Sequence, residues 1–128
     1  MICFDDFLPQ DGVPIYQQIL LYLKRGVVSG AIRDGDELPS RRVLSARLGV
    51  NPNTVQKAYR MLEEQSLIQS HAGAKSCMVL DEEKTARIRQ ELLEADTRRL
   101  VRAMQQMGIT KDEALALIET YWQGSEDL

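Results

Sequence analysis

The stretch LPSRRVLSARLGVNPNTVQK, Leu38 to Lys57, holds two helix starts and one helix stop within twenty residues. Ser40 can accept a free first-turn N–H and cap a helix running to about Leu48. Gly49 suits the stop. Asn51-Pro52 places a capping residue before a proline at the first helical position, which predicts a second start and a helix to about Gln65. Two short helices joined by a tight turn containing glycine make a helix-turn-helix. The apolar positions Val43, Leu44, Leu48, Val50, Val55, Tyr59 and Leu62 are expected to pack the pair onto a preceding helix. Asn53, Thr54, Gln56 and Lys57 fall off that face, near the start of the second helix, where a recognition helix reads base edges.

Charge points the same way. Residues 41–60 contain five basic side chains and no acidic one, although the whole chain carries a net charge of −3. Residues 1–79 have nine Lys/Arg against eight Asp/Glu, and residues 80–128 have seven against eleven. An acidic second part repels a polyanion, so a nucleic-acid role belongs to the first part. Arg41, Arg42 and Lys57 are the expected phosphate donors, with Arg47 and Arg60 as flanking, solvated charges.

Working outward, residues 13–30 predict a first helix. Pro14 lies in its first turn, Gly30 stops it, and Ile15, Ile19, Leu20, Leu23 and Val27 share one face. A short strand is expected around Glu37–Leu38. Residues 67–71 and 76–80 predict a β-hairpin around Ala72-Gly73-Ala74-Lys75, with glycine supplying the turn. A hairpin directly after a recognition helix can act as a wing, or it can merely cap the core. Lys75 at the tip, without a neighbouring acid in sequence, favours phosphate contact.

From Glu82 to Met107 the pattern predicts one long helix with an apolar stripe of Ile88, Leu92, Leu93, Ala95, Leu100, Ala103, Met104 and Met107. Asp96 falls inside that stripe, where it would sit at a rim or pair with an arginine of another helix. Thr110-Lys111-Asp112-Glu113 reads as a capping box. It opens a last helix with Ala114, Leu117, Ile118, Tyr121 and Trp122 on one side, and the tail GSEDL is expected to fray. Two helices bury little by themselves. A second copy of the chain is the expected cover, through Ile88, Leu92, Leu100, Met104, Met107, Leu117, Tyr121 and Trp122; a helical lid folded on its own domain is the alternative. The expected class is mainly α with a small β-hairpin: a winged helix-turn-helix over residues 1–80, then a helical dimerisation segment over 81–128.

Other functions find little support. Cys3 and Cys77 are far apart and His71 stands alone, so neither a disulfide framework nor a metal site is expected, and no cofactor is. There is no Ser/His/Asp set and no Gly-rich phosphate loop, which argues against an enzyme. No apolar run approaches the ~20 residues that span a bilayer. The start MICFDDFLPQ lacks the basic residues of a signal peptide, so a cytoplasmic protein is expected. A winged helix that binds protein rather than DNA is the competing class, and salt dependence separates the two.

Leu38-Pro39-Ser40-Arg41-Arg42, Leu48-Gly49-Val50-Asn51-Pro52-Asn53-Thr54-Val55, Leu62-Glu63-Glu64 and Gly73 together resemble the GntR family of bacterial transcription regulators. The Val-Asn-Pro-Asn-Thr-Val run and the short C-terminus resemble its YtrA subfamily. The resemblance covers about residues 10–80. It implies a dimeric repressor that binds an inverted repeat in double-stranded DNA, in a subfamily whose members often control neighbouring transporter genes. By the resemblance Arg42 falls on the family's DNA-contacting arginine, Asn53, Thr54 and Gln56 on recognition-helix contacts, and Gly73 on the wing tip. The full candidate set for DNA is Ser40, Arg41, Arg42, Asn51, Asn53, Thr54, Gln56, Lys57, Gly73 and Lys75. Two departures stand out. Lys75 occupies the place of a second wing glycine, and Asn53, Gln56 and Lys57 stand where relatives often have arginine. The chain has no room for the ligand-binding domain of larger members, which leaves a small-molecule effector open.

Overall fold

The computed structural model describes residues 1–70 and 75–124. Its elements are α1 (Ile15–Ser29), β1 (Glu37–Leu38), α2 (Arg41–Leu48), α3 (Pro52–Glu64), β2 (Ile68–Ser70), β3 (Ser76–Met78), α4 (Glu82–Gln106) and α5 (Lys111–Gln123). They form two compact units, Met1–Gln90 and the chain from Glu91 onward.

In the first unit α3 packs against both α1 and α2. Val55, Ala58, Tyr59 and Leu62 of α3 are buried, at the i, i+3, i+4, i+7 spacing of one helical face. They meet Ile19, Leu20, Leu23 and Val27 of α1 and Leu44 of α2 in the buried set. Gly26 lets the chain return closely after α1: a Cβ there would lie 2.5 Å from Ile32 Cδ1. Both expected caps are in place, Ser40 accepting from Val43 N at 3.1 Å and Asn51 from Asn53 N at 2.8 Å. Pro14 sits just outside α1, as its cap residue.

The sheet is antiparallel with the order β1-β3-β2. Glu37 and Leu38 face Cys77 and Ser76, while Ile68, Gln69 and Ser70 face Met78, Cys77 and Ser76. The hairpin strands are shorter than the sequence predicts, and β1 joins them as a third strand. His71 and Gly73 lie outside the described residues.

Two features differ from expectation, and a third lies where the sequence predicts no element. First, Val43 is 51% exposed rather than part of the core, because the one buried stripe of the eight-residue α2 is taken by Leu44 and Ser45. Second, the first unit runs ten residues past the expected boundary at 80. Ile88, expected on the dimer face, is 3% exposed and belongs to this core. Third, the N-terminal segment is ordered against the domain. Ile2, Phe4 and Phe7 are buried, Phe4 stacks on Tyr22 with centroids 5.0 Å apart, and Phe7 meets the same ring edge-on at 5.5 Å. Tyr22 donates its hydroxyl to Cys3 O at 2.8 Å, and Ile2 N donates to Glu37 O at 2.7 Å.

In the second unit no described residue of α5 is buried. Leu93, Leu100, Val101 and Met107 of the α4 region are exposed, as are Leu115, Leu117, Ile118, Tyr121 and Trp122 of α5. Leu92 and Met104 are half-buried. Asp96 lies 3.5 Å from Arg99 of its own helix. Thr110 accepts from Glu113 N at 3.2 Å, so it caps α5.

Candidate nucleic-acid interface

The helix-turn-helix begins α2 at Arg41 and α3 at Pro52. Ser40 and Asn51 spend their side-chain oxygens on the first turns of these helices, which fixes where each helix begins. Arg42, Asn53 and Gln56 are exposed, and their side chains have no partner among the described residues. Among the described residues they have no internal contact to break before meeting a ligand. Thr54 is half-buried beside them.

The other expected cations are tied. Arg41 Nη2 lies 2.9 Å from Glu63 Oε1, and its guanidinium carbon is 5.0 Å from the Tyr59 ring centroid. Arg41 Nε is buried without a hydrogen-bond partner. The ring beneath is itself fixed, since Tyr59 donates its buried hydroxyl to Pro39 O at 2.7 Å. Burial pushes the Tyr59 phenol well above its ordinary value, against the opposing field of Arg41. Glu63 also accepts from Ser70 Oγ at 2.7 Å, and Ser70 Oγ is 3.1 Å from Ser76 Oγ. One polar chain thus joins α2, the end of α3 and both strands of the hairpin.

Lys57 Nζ sits 3.9 Å from the Tyr16 ring centroid while its residue remains exposed, a cation–π contact that restrains the ammonium without neutralising it. Lys75, expected to lack an acidic neighbour, lies 3.6 Å from Glu37 Oε2, because β1 pairs with β3 and brings that carboxylate alongside. Arg47 forms an ion pair with Asp5 of the N-terminal segment. The Asp5 carboxyl is held below its ordinary value by its hydrogen bond with Cys3 and by the Arg47 charge. Arg60 is exposed.

Sequence reasoning missed four residues that shape this surface: Asp5, Tyr16, Glu37 and Glu63. Their partners are distant in the chain, and no local pattern marks them. Among the described residues no group of three His, Cys, Asp or Glu could hold a metal ion, and no helix is long and apolar enough to cross a membrane.

Comparison with known proteins bears on the same residues. The family model for bacterial regulatory proteins, gntR family, matches residues 15–76. The uncharacterized HTH-type transcriptional regulator YhcF of Bacillus subtilis (strain 168) is 32% identical over 120 residues, covering 90% of this chain and 95% of its own length. The HTH-type transcriptional repressor YtrA of the same organism is 42% identical over 65 residues, 51% of this chain and 50% of that protein. The solved structure of a GntR family transcriptional regulator from Listeria monocytogenes has a TM-score of 0.77 at 31% identity, covering 88% of this chain and 98% of that one.

Proposed function

The chain belongs to the gntR family of bacterial regulatory proteins and is a DNA-binding transcriptional regulator, and from that premise we propose that it acts as a cytoplasmic homodimeric repressor on an inverted-repeat operator. The observation that carries the contact set is that Arg42, Asn53 and Gln56, at the starts of α2 and α3, have no partner among the described residues, within a window, residues 41–60, that contains no acidic side chain. Arg42 offers a guanidinium to phosphate or to a guanine edge, and the two carboxamides can pair bidentately with adenine. Thr54 and Lys57 flank them. Ser40 and Asn51 hold the helix starts at the DNA. Gly73 and Lys75 bring the wing to the backbone, and Arg41 braces the surface from behind.

The dimer reading is supported by the exposed apolar side chains of the second unit. Leu100, Met107, Leu117, Tyr121 and Trp122 are all exposed, with Trp122 at 80%. So many exposed large apolar side chains on two helices point to a partner that covers them. A symmetric pair presents two recognition helices to two half-sites, and the second contact becomes intramolecular. YtrA, which is similar to the DNA-binding half of the chain, is a transcriptional repressor. Genes for a neighbouring transporter are the proposed regulated set.

The test is selection of duplexes from a randomised library by the full chain, followed by salt titration and sedimentation. Recovery of a two-fold-symmetric site, bound by a dimer with affinity falling steeply as salt rises, is the expected result. A monomer at micromolar concentration, or recovery of asymmetric sites only, refutes it.

A further inference from the structure

Arg41, Arg47 and Lys75 each lie against a carboxylate. Lys57 lies against a ring, its ammonium 3.9 Å from the Tyr16 centroid. The difference matters to a polyanion. A carboxylate restrains a cation and cancels its charge, so a phosphate has to displace it. A ring restrains the cation through its quadrupole and leaves the charge in place. Lys57 is exposed, and an ammonium has three N–H donors, so the side turned away from the ring keeps donors for a phosphate.

The position of Tyr16 does not depend on Lys57. Tyr16 is the second residue of α1, and with Ile19, Leu20 and Leu23 it follows the i, i+3, i+4, i+7 spacing of one face. Those three are buried, and Tyr16 is half-buried where the face meets solvent. Pro14 O accepts from Gln17 N at 3.1 Å and from Gln18 N at 3.2 Å, which closes the first turn around Tyr16. The Gln18 carboxamide accepts from Gln10 N at 2.8 Å and donates to Gln10 O at 2.9 Å and Val13 O at 2.7 Å, so the segment ahead of the helix is clamped as well. Since α1 packs directly on α3, this fixed ring stands beside the recognition helix. A free lysine loses rotamer freedom when it grips a phosphate. One already held on a ring loses less, and the difference appears as affinity.

We propose that Tyr16 is a positioning residue for DNA binding: its ring holds the Lys57 ammonium, still charged, in place for a backbone phosphate. This rests on the reading of Lys57 as a DNA contact. It extends the binding machinery from the helix-turn-helix to the start of α1, through a residue that acts on affinity and not on base preference.

The experiment is a double-mutant cycle in the full chain, read as affinity and salt dependence on a duplex selected by the wild type, with thermal unfolding of each protein. Lys57→Met is expected to weaken binding and to reduce the slope of log affinity against log salt by about one per protomer bound. Tyr16→Leu is expected to weaken binding about two- to fivefold per protomer bound with the slope unchanged. Added to Lys57→Met, it is expected to cost nothing further. Tyr16→Phe, which keeps the ring and loses the hydroxyl, is expected to retain wild-type affinity. Should the leucine variant misfold, Tyr16→Met takes its place in the cycle. An equal loss with and without Lys57 overturns the proposal, because Tyr16 would then act through the fold or through a contact of its own. A phenylalanine variant as weak as the leucine one overturns it too, and so does a leucine variant with wild-type affinity. Failure of the Lys57 reading shows separately, in a Lys57→Met protein that keeps both the affinity and the slope of the wild type.

Discussion

The Arg41 guanidinium sits 2.9 Å from the Glu63 carboxylate, which also receives the Ser70 hydroxyl at 2.7 Å. This arginine therefore spends its charge inside the protein. Arg41→Met is expected to lower the melting temperature modestly, since a partly exposed ion pair contributes no more than about 1 kcal/mol. It should leave the slope of log affinity against log salt unchanged. Arg42→Ala should do the reverse, keeping the melting temperature, costing ~1–3 kcal/mol in operator binding and reducing the slope if the contact is to phosphate. Thermal unfolding and salt titrations of both variants check this. A reduced slope for Arg41→Met would place that residue on DNA.

Asn53→Ala and Gln56→Ala are expected to relax preference at particular operator positions. A carboxamide pairs with an adenine edge through two hydrogen bonds, and its loss costs ~1–3 kcal/mol at that base pair. The measurement is affinity across all single-base variants of the selected site. A uniform loss at every position would show that the residue only positions the protein.

Tyr59→Phe removes the buried hydrogen bond to Pro39 O, at an expected cost of about 1 kcal/mol at neutral pH. Burial raises the Tyr59 phenol above its ordinary value of 10.0. The unfolded chain then ionises this group first and binds fewer protons than the native state, so stability falls as pH rises above that value. The phenylalanine variant lacks this loss. The stability gap between wild type and variant is therefore expected to narrow above pH 10, as read by denaturant titration at stepped pH. A constant gap would mean that the phenol ionises freely in the folded state.

A chain ending at Gln90 is expected to fold as a monomer with weak DNA binding. A chain ending at Leu80 should be less stable by at least ~1.5–3 kcal/mol, because it loses the buried Ile88 side chain. Urea unfolding and sedimentation of the two fragments test this. Equal stability would place Ile88 outside the domain core.

The helices were legible because their ends are written locally: Ser40, Asn51-Pro52, Gly30 and Thr110 each act on neighbours within a turn. The free side chains Arg42, Asn53 and Gln56 were legible for the same reason, as polar positions left over from a clear apolar period. Arg41, Lys57 and Lys75 also stand out as basic positions, but their internal partners leave no mark in the local sequence. Their partners Glu63, Tyr16 and Glu37 are brought close by the packing of α3 on α2 and on α1 and by the pairing of β3 with β1. Helical period marked Ile88 as apolar, and period cannot say which body covers a residue. Ile2 and Phe4 are two apart and Phe4 and Phe7 three apart, too short and mixed a pattern to predict an element, so their burial left no signal beyond composition.

The hydrogen bond from Ile2 N to Glu37 O has a consequence for aggregation. A sheet edge with unpaired main-chain groups is a template on which another chain can add a strand. Here the outer side of β1 is occupied by the protein's own N-terminal segment, and Pro39 follows the strand immediately, with no N–H to offer. An intruding strand would have to pull Ile2 away and, with it, Phe4 and Phe7 out of their contacts with Tyr22. The first seven residues thus serve as an edge guard, and a variant that shortens them should polymerise through its sheet before it loses its helices.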